Sequence, residues 1–205
     1  MNMSKQIVTA DMSMSLDGFT AGKDNLQVDF DRIMDWAHKA FAFREHYKLG
    51  GGEKNVDSEV IEAIMNSDAG AFVMGRFMYD WGEEPWGPNP PFHAPVFVVT
   101  HRARESRVCE GGTTFHFITD GVASALAKAK EAAGAKRVAV SGGAKIFQQL
   151  LNLNAIDEVR LHVAPFILGR GTPLFGNLDK QLELGRPIAI REGERALHLT
   201  YRIPR

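Results

Sequence analysis

Three short, nearly apolar runs constrain this chain more than any other feature: Ala71 to Met74, Val96-Phe97-Val98-Val99 and Arg137 to Val140. Runs of this length, rich in β-branched and aromatic residues, fit strands buried on both faces, as inside parallel sheets. Parallel strands need long crossover connections, and segments of helical period lie between these runs. Val122, Leu126 and Ala129 fall in phase in the alanine-rich stretch Val122 to Ala133, with Gly134 placed as a C-terminal cap. Ile146, Phe147 and Leu150 form the inward face of another helix. Phe30, Ile33, Met34, Ala37 and Phe41 predict one amphipathic helix. Asp57 is placed to cap a helix carrying Val60, Ile61, Ile64 and Met65, with Glu59 in its first turn.

The remaining strand signals are Ile7 to Leu16, which alternates apolar and small polar residues up to the Asp17-Gly18 turn, Thr114 to Ile118 and Val159 to Ile167. Ile188 to Ile190 and Leu197 to Ile203 end the chain as two more. Trp81 to Pro91 is too rich in proline for a core strand. The pattern predicts an α/β fold with a mostly parallel central sheet, an antiparallel edge and helices on both faces. No linker divides it, so residues 1–205 read as one domain.

A chain of 205 residues buries roughly 70% of its unfolded surface and needs no metal or disulfide staple. Its formal net charge of -1 argues against nucleic acid, which calls for a basic face. Cys109 is the sole cysteine, which excludes an internal disulfide and a cysteine-rich zinc site. No run of about 18 apolar residues offers a membrane span, and the N-terminus lacks the apolar core of a signal peptide. A soluble cytoplasmic protein is the expectation. His93, His116, His162 and His198 show no metal-ligand spacing and read as core or surface residues.

Chemistry concentrates at strand ends. Val138-Ala139-Val140-Ser141-Gly142-Gly143-Ala144-Lys145-Ile146 takes a strand through paired glycines into a helix. Such a corner brings backbone N–H groups close to an anion, where the helix dipole favours negative charge; it serves equally as a tight turn. Met74-Gly75-Arg76 and Val99-Thr100-His101-Arg102 place further cations at strand ends, the edge where open α/β sheets bind ligands. Singly, Arg76, Arg102 and Lys145 read as solvated charges. Together they fit a diphosphate with an extra phosphate.

Four motifs in order, Ser15-Leu16-Asp17-Gly18, Val73-Met74-Gly75-Arg76, Ser141-Gly142-Gly143 and Ala164-Pro165-Phe166-Ile167-Leu168-Gly169-Arg170-Gly171-Thr172-Pro173-Leu174-Phe175, resemble the dihydrofolate reductase-like superfamily. Within it the chain is most similar to the reductase domain of the deaminase–reductase family of riboflavin biosynthesis, over nearly its whole length. The resemblance implies a mixed sheet of about eight strands and NADPH as cofactor. It implies that Ser141, Gly142, Gly143, Ala144 and Lys145 hold the diphosphate, and that Gly75, Arg76, Thr100, His101 and Arg102 lie along the adenosine phosphates. The loop Asp17 to Thr20, with Gly18, would lie over the nicotinamide. It further implies hydride transfer to a small heterocycle, such as 5-amino-6-(5-phosphoribosylamino)uracil or the substrate of a dihydrofolate reductase-like paralogue, by a homodimer.

Two positions depart from the family. Asp11 stands where a lysine is usual, and Ser141 where an acidic residue precedes the glycine pair. Both bear on the ribosylated pyrimidine more than on the cofactor, and they keep open a non-catalytic nucleotide-binding protein. A flavodoxin-like domain fits less well, since Leu16-Asp17-Gly18-Phe19 lacks a hydroxyl- and glycine-rich phosphate loop. The deaminase half, with its H-x-E and P-C-x-x-C pattern, is absent. Asp17 and Asp57 are the candidates for substrate contact or proton delivery, while Asp29, Asp31 and Asp35 offer an acid on the first helix. The polar segment Tyr47 to Glu59 reads either as a lid carrying Glu53 or Asp57 or as a plain connection. Trp81 to Pro88 reads as an aromatic wall or as loop packing.

Overall fold

The computed structural model describes residues 6–22 and 26–204; the N-terminal reading above falls largely on residues 1–5, outside them. In chain order the elements are β1 (Val8–Ser15), β2 (Phe19–Ala21), α1 (Leu26–Ile33), α2 (Asp35–His38), α3 (Phe41–His46) and α4 (Val56–Met65). Then come β3 (Ala69–Gly75), α5 (Arg76–Gly82), β4 (Pro95–Val99), β5 (Arg107–Val108), β6 (Thr114–Ile118), α6 (Val122–Ala133) and β7 (Arg137–Val140). The chain finishes with α7 (Ala144–Asn152), β8 (Glu158–Ala164), β9 (Thr172–Pro173), β10 (Ala189–Glu192) and β11 (Leu197–Arg202).

Nine strands form one sheet in the order β10-β11-β8-β1-β7-β3-β4-β6-β5. The strands from β8 to β6 run parallel, while β11 and β10 at one edge and β5 at the other are antiparallel. The α/β fold with a mostly parallel sheet is therefore as expected. The extra strand is β5, whose two residues carry no period to read.

One face of the sheet is apolar. Val8, Ala10 and Met12 of β1 and Val159, Leu161 and Val163 of β8 pack with Val73, Phe97 and Val140 beneath α6 and α7. Phe147 and Leu150 from α7 are fully buried there. The other face is covered by α5 over Met74, Val96 and Val98 and by α2 and α4, whose Trp36, Ala37, Val60 and Ile61 form a separate cluster.

Three readings need correction. The single helix expected over Phe30 to Phe41 is three short ones. Phe41 N–H donates to the Glu53 carbonyl and Glu53 N–H to that of Lys39, so pairing with residue 53 replaces the helical ladder at an extended Ala40. The cap of α4 is Asn55, whose side chain accepts from Ser58 N–H at 3.1 Å, and not Asp57. Arg76, read as part of a turn, and Trp81-Gly82, read as loop, are the two ends of α5.

Candidate active site

The carboxyl ends of β1, β7, β3 and β4 are neighbours along one rim, because those strands are adjacent and parallel. Four separately read corners thus meet. Gly75 N–H donates to the Gly142 carbonyl at 2.8 Å, and Ser141 N–H to that of Val73 at 3.0 Å, stitching two of them together. Gly142 has φ +97°, a conformation that favours glycine, and its peptide bond to Gly143 is cis. A Cβ on either glycine would meet nothing within 4 Å, so an open cradle lies above the corner. Gly143 caps α7 without a side-chain acceptor, and the first amides of that helix, Ala144 and Lys145 included, have no intrahelical partner.

The cations are less uniform than expected. Lys145, His101 and Arg102 are exposed at the rim. Arg76 is the first residue of α5, and its Nε donates to Asp80 at 2.6 Å. Thr100 is buried and its hydroxyl accepts from Arg102 N–H at 3.1 Å, which braces the turn and spends the group.

The loop after β1 is tied to the segment after β8. Leu16 N–H donates to the Phe166 carbonyl, Leu174 N–H to that of Gly18, and β2 pairs with β9. Asp17 is the clamp: its carboxylate accepts from Ser15 Oγ at 2.6 Å, Leu168 N–H at 2.9 Å and Gly169 N–H at 2.7 Å. The Ser15 hydroxyl, ahead of those amides, draws its pKa down to about 2. A carboxylate so held gives up no proton near neutrality. This corrects the assignment of Asp17 to proton delivery.

Asp57 is corrected more fully. It is 1% exposed in the first turn of α4, where Oδ1 meets His198 Nε2 at 2.8 Å and Oδ2 accepts from Arg195 N–H at 3.0 Å. It touches no open space, and the segment before it is no lid: Glu53 pairs with Arg195 and with the backbone around Phe41.

Beside the clamp is a groove of about 530 Å³ whose lining includes Asp31, Arg32, Asp35, Phe166 and Arg195. The guanidinium of Arg32 lies 4.2 Å over the Phe166 ring. Arg195 bridges Asp35 at 2.6 Å and Glu53 at 2.5 Å, and it was not foreseen from the sequence. Of the three acids on the first helical segment, Asp31 and Asp35 reach the groove. The tryptophan segment does not line the groove, and its rings pack on other aromatic side chains. Trp81 sits between Phe30 and an exposed Phe77, with ring centroids 5.2 and 5.1 Å away, whereas Trp86 packs inward on Phe92 and Phe115. Among the described residues no group of three or more His, Cys, Asp or Glu is placed to hold a metal.

Comparison with known proteins establishes the family and the fold. The RibD C-terminal domain family matches residues 6–189. The chain belongs to that family. The uncharacterized protein YyaP of Bacillus subtilis (strain 168) is 27% identical over 189 residues, covering 89% of this chain and 87% of that protein. A Shewanella sp. PV-4 protein named for riboflavin biosynthesis superposes with TM-score 0.69 at 24% identity, covering 98% and 100% of the two chains. Dihydrofolate reductase from Enterococcus faecalis, complexed with NADP(H), superposes with TM-score 0.53 at 14% identity over 97% of each chain. At these identities the structural matches establish the shared dihydrofolate reductase-like fold.

Proposed function

We propose that the chain is an NADPH-dependent reductase that passes hydride to a small flat heterocycle seated in the groove. One observation supports the reading: the glycine cradle and three cations follow the carboxyl ends of β7, β3 and β4, and the groove is lined by Pro165 and Phe166 just past the carboxyl end of β8 in the same sheet. The donor set fits the cofactor. Gly142 and Gly143 leave room for a diphosphate, the first amides of α7 point their partial positive charge at it, and Lys145, Arg102 and Arg76 supply cations for its phosphates. NADPH, when bound, supplies the hydride.

The protein's own part is to hold and enclose. The Asp17 clamp fixes the loop after β1 against residues 168–174, which sets one wall. Phe166 with Arg32 above it forms a flat surface for a ring. Asp31, held by Gln27 at 3.0 and 3.1 Å, is a groove carboxylate that Arg195 does not engage and is placed to hold or pass a proton. A pyrimidine of the riboflavin pathway suits this pocket class, although Asp11 and Ser141 replace the family's usual residues. The exposed Ile188 and Ile190 near the edge strand β10 give a homodimer an apolar surface, and a cytoplasmic enzyme is the matching location.

The decisive experiment pairs binding with turnover. Gly143→Ala fits the fold, since φ is -85° and no atom is near, yet it fills the cradle. It should leave the melting temperature unchanged and weaken NADPH about 100-fold, or about 2.7 kcal/mol. Arg76→Ala should weaken NADPH about tenfold more than NADH. Unchanged NADPH binding in Gly143→Ala would remove the reading; tight binding without oxidation of NADPH by any pterin or pyrimidine would favour a non-catalytic nucleotide-binding protein.

A further inference from the structure

On the face of the sheet beneath α2 and α4, four titratable side chains form one line. Asp57 Oδ1 lies 2.8 Å from His198 Nε2, His198 Nδ1 lies 2.9 Å from His162 Nδ1, and His162 Nε2 faces Asp11 Oδ1 at 3.8 Å. Both rings are buried, and Trp36 covers them with centroids 4.4 and 5.0 Å away. Among the described residues, His162 Nε2 and Asp11 Oδ1 are the buried side-chain atoms left without a hydrogen-bond partner. They face each other.

Proton arithmetic restricts this line. A 2.9 Å contact between two Nδ1 atoms needs one proton, because two would collide and none would set lone pair against lone pair. Each outer nitrogen faces a carboxylate oxygen, so each is best satisfied carrying hydrogen. Three protons on four ring nitrogens meet every demand, and that is one more than two neutral imidazoles hold. Arg160, whose Nη1 is 3.6 Å from Asp11 Oδ1, sets a positive charge at the Asp11 end of the line.

We propose that His162 and His198 share one extra proton between Asp11 and Asp57, and that this charged pair is a positioning relay for Arg195 in the groove. The link is direct. Asp57 Oδ2 accepts the Arg195 amide, while Gly193 lies so close that a Cβ there would sit 1.9 Å from Asp57 Oδ1. The turn from Gly193 to Ala196, closed by a 2.9 Å backbone bond, is thus laid on the Asp57 carboxylate and presents Arg195 to Asp35. The other charges facing the pair are Arg160 from β8 and Arg191 from β10, and Arg191 disfavours a charge on His198. Burial, the largest influence, holds the His198 pKa below its ordinary value, with the neighbouring His162 next. A fourth proton in acid breaks the Nδ1 contact and frees the turn.

The significance of Arg195 for substrate rests on the groove reading above; the proton count does not. Long-range ¹⁵N NMR of the full chain at about pH 7 should show three protonated ring nitrogens across His162 and His198. In Asp11→Asn the number should fall to two. On acidification the Arg195 backbone amide should shift with the same midpoint as the rings, and NADPH binding, held at the other end of the rim, should not follow that midpoint. Two protonated nitrogens in the wild-type protein, or an Arg195 amide indifferent to the ring titration, would overturn the relay and leave the reductase reading standing.

Discussion

The two faces of the same strands are built on opposite principles. On one, β1 and β8 present Val8, Ala10, Met12, Val159, Leu161 and Val163 to α6 and α7 in an apolar cluster. On the other, the intervening residues are Thr9, Asp11, Ser13, Arg160 and His162, beneath α2 and α4. The apolar face draws its strength from close packing, which is non-directional and tolerates no hole. The polar face depends on every donor finding an acceptor, which is directional and lets charge and shape be tuned. Stability is concentrated on the first face and the groove is fixed from the second.

Mutations should separate these principles. The largest effect belongs to Phe147→Ala beneath α7, which should cost about 3–5 kcal/mol in urea unfolding; a loss under about 1 kcal/mol would mean the apolar face is not the main support. Gly193→Ala on the polar side drives a methyl into Asp57 and the Ala196 carbonyl 2.8 Å away and should cost about 1–3 kcal/mol. Hydrogen exchange should then rise at Arg195 and not in α6. Ser13→Ala removes the acceptor of the Trp36 indole N–H, 3.1 Å away, at a cost of about 1 kcal/mol. An undiminished stability there would show that Trp36 is held by its ring contacts alone.

Acid should act selectively and most weakly. Arg104, with Tyr79 and Arg107 behind it, draws Glu83 from an ordinary 4.5 to about 2. Its folded-state pKa is depressed, so its contribution is complete above about pH 4.5 and is lost as pH falls toward 2. The site is partly exposed, so the effect is small. Glu83→Gln should flatten stability across that window while leaving it unaltered in slope near neutrality.

Sequence legibility follows the same division. Val122–Ala133 and Thr114–Ile118 coincide with their readings, because burial against an apolar face imposes a strict period on both helix and strand. The region from residue 30 to 57 was misread because a backbone pairing to Glu53, distant from the helix it interrupts, has no local mark. Asp17 and Asp57 were singled out for substrate contact or proton delivery, yet the contacts they make are structural. Asp17 is answered by amides about 150 residues away, and Asp57 by His198. Arg195 escaped notice because an arginine in a turn between strands looks like any solvated charge. The one available signal was the polar alternation of β1, β8 and β11, where Asp11, Ser13, His162 and His198 occupy positions that buried strands would otherwise give to apolar residues.

The amino-acid order alone determined the number of layers, the direction of the central strands and the corners with glycine and cations, since each depends on periods and turns a few residues long. Only the tertiary structure decided that β7 enters between β1 and β3, which brings those corners side by side, and which acids face open space and which are locked away. Those outcomes depend on pairings across the chain, where the free energy of a contact is set by what burial places opposite it.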